Sequence, residues 1–120
     1  MERDNKTPDE VFAESAPMAP IELIHKTNCS FIQGYIIESI NSYNPNTYNA
    51  KVYLKRCITY AKIAIKVGST WNCHNYVPVV RDFAVKNKIS TLQRVIIQDA
   101  FLNNYQSIID RCQKILDEDE

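Results

Sequence analysis

The chain has 120 residues, a formal net charge of zero and 45% apolar residues; that length fits one domain, and the apolar share can build a modest core without disulfides or metals. It has only two glycines, Gly34 and Gly68, and no Asn-Gly or Asp-Gly pair between alternating apolar runs, which argues against a β-rich fold. No apolar run is long enough to span a bilayer and nothing resembles a signal peptide, so the expectation is an intracellular protein, cytoplasmic or nuclear, with no transmembrane segment.

The zero charge is a cancellation between regions. Residues 1–20 carry Glu2, Asp4, Asp9, Glu10 and Glu14 against Arg3 and Lys6, with Pro8, Pro17 and Pro20 among them. Such a segment buries too little apolar surface to offset its ordering entropy and reads as a disordered acidic tail. The other end, Asp117-Glu118-Asp119-Glu120, is also acidic, and residues 118–120 are taken as a second tail. Between them, residues 21–117 form the expected helical domain. Within residues 21–109, ten Lys or Arg stand against Glu22, Glu38, Asp82 and Asp99, a surplus of six positive charges that favours acidic partners on encounter.

Order is expected to begin near Ile21. A first helix from about Asn28 to Tyr43 follows from Phe31, Ile32, Tyr35, Ile36 and Ile40 recurring at helical spacing, and Asn44-Pro45-Asn46 stops it. A second, from about Thr47 to Val67, puts Ala50, Leu54, Cys57, Ile58, Ala61 and Ile65 on one face and Lys51, Lys55, Lys62 and Lys66 on another. Thr47 can cap its start, and Gly68 can end it in the left-handed conformation.

Pro78 interrupts the apolar stretch Tyr76-Val77-Pro78-Val79-Val80. With Asn75 as N-cap it falls in the first turn of a third helix running toward Asn87, where its missing N–H is not needed; a strand over Tyr76 to Val80 is the rival reading. After Asn87-Lys88, a turn or short helix carries Ile89, Leu92, Val95 and Ile96. A last helix from about Asp99 to Leu116 aligns Phe101, Tyr105, Ile108, Ile109, Cys112, Ile115 and Leu116. The fold class is therefore all-α, four to five helices in an orthogonal or bundle-like domain.

The usual chemical constellations are missing from the sequence. His25 and His74 sit in no metal or catalytic frame, and adjacent Cys73-His74 point apart rather than forming a nucleophile and base pair. Cys29, Cys57, Cys73 and Cys112 have no C-x-x-C spacing, which fits reduced thiols and suggests neither a disulfide framework nor a zinc finger. No glycine-rich phosphate loop occurs, so neither a cofactor nor a catalytic residue is expected. Trp71 and Tyr76 bracket the Asn72 to Asn75 connection, and aromatic residues at a loop suit a recognition surface or an anchor onto the core.

The helical pattern Phe31-Ile32-x-x-Tyr35-Ile36-x-x-x-Ile40 is followed by Ala50-Lys51-Val52, Ile58-x-x-Ala61-Lys62, Asn72-Cys73-His74-Asn75-Tyr76-Val77-Pro78-Val79-Val80 and Ile89-Ser90-Thr91-Leu92. In this order the segments resemble part of the all-helical catalytic domain of Ras-family guanine nucleotide exchange factors, the CDC25-homology domain, over about residues 31–92. Thr91 stands where that family has arginine and Pro78 where it prefers alanine. The family continues into a helical hairpin that opens the nucleotide site of the GTPase, and the matched pattern stops short of it. The resemblance implies a protein partner, a Ras-like GTPase docked without efficient exchange, with Trp71, Asn72, His74, Asn75 and Tyr76 as contact residues.

Two other readings stay open. Lys51, Lys55, Lys62 and Lys66, together with Lys86 and Lys88, could bind nucleic acid or an anionic membrane. Alternatively, the domain is a structural adaptor or a subunit of a larger assembly.

Overall fold

The computed structural model describes residues 31–70 and 76–118. Five helices lie among them: α1 (Phe31–Asn41), α2 (Ala50–Val67), α3 (Tyr76–Asn87), α4 (Thr91–Phe101) and α5 (Tyr105–Glu118). The described residues contain no strand, and the all-α, bundle-like architecture is the one expected. The proposed acidic tail over residues 1–20 and the helix start at Asn28 lie outside the described residues. At the other end α5 continues through Glu118, one residue into the expected second tail.

Helix α1 carries a single charge, Glu38, and is buried on nearly every side: Gln33, Gly34, Ile36, Ile37, Ser39 and Ile40 are all buried. It packs between α2 and α4; α2 also packs on α5, and α3 on α4. Because α1 has neighbours around most of its circumference, even its polar positions need internal partners. Two glutamines provide them. Gln33 Nε2 donates to the Ala100 carbonyl at 2.7 Å. Gln93 Nε2 donates to the carbonyls of Ile40 at 2.9 Å and Tyr43 at 3.0 Å. The start of α1 is thereby tied to the end of α4 and the end of α1 to the start of α4, so the pair is antiparallel.

Helix α2 starts three residues later than the sequence suggests. The Thr47 hydroxyl, read as a helix cap, instead donates to the Asn44 carbonyl at 2.8 Å, and Asn46 N–H donates to Asn44 Oδ1 at 3.0 Å. These local bonds hold an Asx-type turn through the segment that would have been the first helical turn. Asn49 then precedes the helix without a side-chain cap. At the other end Gly68 takes the left-handed conformation with φ 68°, as anticipated.

Helix α3 begins at Tyr76, which puts Pro78 at the third helical position, among the N–H groups that have no partner within the helix. That geometry accommodates the proline, and the strand reading is not the one adopted. The expected single helix over Asp99 to Leu116 is two helices. Asn103, with φ 61°, breaks it: Asn103 N–H bonds to the Ala100 carbonyl at 3.3 Å and Asn104 N–H to the Asp99 carbonyl at 2.9 Å. Phe101 and Tyr105 are both buried on either side of the break, so the apolar spacing runs across it unchanged.

Of the turn or short helix expected after Lys88, the structure has the helix, 11 residues long. Ser90 opens α4 with a capping box: Gln93 N–H donates to Ser90 Oγ at 3.2 Å and Ser90 N–H donates to Gln93 Oε1 at 2.7 Å. The core that results joins Ile36, Ile37 and Ile40 of α1 to Leu54, Cys57 and Ala61 of α2, Val80 and Phe83 of α3, Ile96, Ile97 and Phe101 of α4, and Ile108 and Cys112 of α5.

Candidate docking surfaces

Of the residues singled out as a recognition loop, Trp71, Asn72, His74 and Asn75 lie outside the described residues. Tyr76 opens α3. Its ring is half-buried and lies 6.0 Å from that of Phe101, tilted by 33°, so it anchors the start of α3 to α4 and leaves only part of its surface for a partner.

Helix α3 is amphipathic by necessity. Val80, Phe83 and Ala84 are buried, and at about 100° per residue the opposite side holds Pro78, Arg81, Asp82 and Val85, with Val77 at its edge beside Ala84. All five are exposed. Val77 keeps 47% of its surface and Val85 73%, flanking Arg81 in an i, i+4, i+8 row. Arg81 approaches Asp82 only at 4.0 Å, with both side chains mostly in solvent, a pairing that contributes little. This face adjoins residues 71–75 in the chain. The sequence reading placed Val77 in a continuous apolar stretch and assigned Arg81 and Val85 no role; only the helical register of Val80 and Phe83 separates the inner residues from the outer ones.

The lysines fall into two groups. Lys51, Lys55, Lys62 and Lys66 are all exposed on α2 and, at 100° per residue, share an arc of about 60°. Lys86 and Lys88 belong elsewhere, at the end of α3, which packs on α4. Lys88 lines a shallow depression with Arg81, Ser90, Thr91 and Arg94. The six lysines are therefore not one continuous stripe.

Buried titratable groups serve the fold. Burial pushes the Asp99 carboxyl up, while Arg111, whose Nε sits 3.3 Å from Asp99 Oδ2, and Asn104 pull it back down. Burial raises Glu38. Cys57 and Cys112 are fully buried on facing helices. The hydrogen bond with Cys112, then burial and the neighbouring thiol's charge, push the Cys57 thiol well above its ordinary value. A thiol held protonated this way is a poor nucleophile. Among the described residues no three His, Cys, Asp or Glu side chains converge as a metal-ligand set, and no helix is long and apolar enough to cross a membrane.

No family model, curated protein or solved structure matches this chain.

Proposed function

We propose that the chain is a protein-docking helical module, similar to part of an exchange-factor domain, that binds a Ras-like GTPase through the outer face of α3 and the connection leading into it. The observation that carries the reading is the pair of exposed valines on α3, Val77 and Val85, on either side of Arg81. Two aliphatic side chains beside an exposed arginine on a helix offer apolar contact area next to a residue type enriched at interfaces. The resemblance supplies the partner class.

Chemistry on the partner is not part of the proposal. The exposed side chains of this face on α3 are aliphatic residues with Arg81 and Asp82, a composition suited to contact. Binding is tested by titrating a panel of Ras-like GTPases, in the GDP-bound and nucleotide-free states, with the chain and with a Val77→Asp/Val85→Asp variant. Both changes are on exposed positions and leave the core intact. Binding by the parent and a loss of about tenfold or more in the variant is the expected result. No binding in either state, or equal binding by the variant, contradicts the reading.

A further inference from the structure

The basic row on α2 is not used by that docking face, and it has a composition of its own. The helix carries Lys51, Lys55, Arg56, Lys62 and Lys66 and no acidic residue. Arg56 leaves the row: its guanidinium lies 5.4 Å over the Tyr53 ring and its side chain is half-buried. The four lysines run along the exposed side over 15 residue steps, about 22 Å at helical rise. Asp110 and Asp117 of neighbouring α5 accept from Gln106 at 3.0 Å and Gln113 at 2.9 Å within their own helix. No ion pair joins Lys55, Lys62 or Lys66 to a carboxylate among the described residues.

The residues beside the row identify the kind of anion it suits. Val52, 43% exposed, and Ile65, 49% exposed, border the lysines on opposite sides. Tyr48, fully exposed, stands just before the helix, and Val67, 64% exposed, ends it. A phosphodiester backbone gives these apolar groups nothing to bury against. The row also has no Arg, Asn or Gln to form the paired hydrogen bonds that read base edges. A bilayer interface takes both kinds of group at once, lysine ammonium groups at the lipid phosphates and carboxylates, aliphatic and aromatic side chains at headgroup depth.

We infer that the outward face of α2, with Lys55, Lys62 and Lys66 at its centre and Tyr48, Val52 and Ile65 around them, binds the surface of an anionic lipid bilayer. The interaction is peripheral and separate from the α3 docking face, so either can fail without the other.

The test is co-sedimentation of the full chain with phosphatidylcholine vesicles, with and without phosphatidylserine, at low and high salt. The parent should pellet only with the anionic vesicles and leave them at high salt. Each neutralised lysine should lower partitioning roughly fivefold, so Lys55→Gln/Lys62→Gln/Lys66→Gln should lose about a hundredfold. Lys114→Gln on α5 should bind as the parent does, and circular dichroism should show both variants folded. Three results overturn the inference: equal pelleting without phosphatidylserine, a triple variant that binds like the parent, or duplex DNA or RNA that binds the α2 lysines more tightly than the vesicles and strips the protein from them.

Discussion

Gln93 is the residue on which the most local structure depends. One side chain accepts from Ser90 N–H to complete the α4 cap and donates to two carbonyls at the end of α1. Gln93→Ala leaves those groups without their partners inside a largely buried site and should cost about 2–3 kcal/mol in urea unfolding. Gln93→Glu is the sharper probe. Glutamate serves equally well in a capping box, yet here it turns an acceptor toward two carbonyl oxygens and should destabilise at least as much. A neutral outcome for Gln93→Glu would mean that the link to α1 contributes nothing. Lys88 offers the opposite sign: it ends α3 with φ 55° and sends its N–H to the Val85 carbonyl, while Ile89 N–H bonds to Ala84. A side chain in that conformation is strained, so Lys88→Gly should stabilise by about 1 kcal/mol, read as a rise in the urea midpoint.

Helices α2 and α3 were legible from apolar spacing, from Gly68 and from the tolerance of a first turn for proline. What was not legible has a common physical cause: backbone-local hydrogen bonding that leaves the apolar period untouched. Phe101 and Tyr105 keep helical spacing across a break made by the left-handed Asn103, so the end of α4, from Asp99, reads as the start of α5. The Asn44 turn consumed the Thr47 hydroxyl before it could cap α2. The Ser90-Thr91-Leu92-Gln93 pattern is the sequence signal that marks the start of α4. At the candidate site, the α2 lysine row could be read from its spacing, whereas the outer face of α3 could not, because Val77 is as apolar as the buried Val80 and only its position on the helix distinguishes them. Contact between α2 and α5 gives this scale its own prediction. Cys57 and Cys112 meet there, both at 0% exposure. In a Cys29→Ser/Cys73→Ser background neither should react with Ellman's reagent until the protein unfolds, and reaction at the rate of a free thiol in the native state would contradict the packing.

Across the whole molecule, polar groups are buried chiefly around α1, and the stability should show it as pH changes. Burial holds Glu38 above its ordinary pKa of 4.5, so the folded state binds that proton more tightly than the unfolded chain does. Its stabilising contribution is fully present below pH 4.5 and is lost as pH rises through the folded value. Glu38→Gln should therefore raise the melting temperature at neutral pH and change it little in acid; a difference of the same size at both would assign the effect to something other than ionisation. The molecule as a whole is then a small helical scaffold built around one nearly encircled helix, with two outward faces of different character: valine and arginine on α3, lysine bordered by aliphatics on α2. The most direct measurement is release of fluorescent GDP from Ras-like GTPases, with binding recorded in the same samples, for the parent and for Val77→Asp/Val85→Asp. The account predicts binding that the variant loses, with little acceleration of release; no binding to any GTPase in either nucleotide state would contradict it.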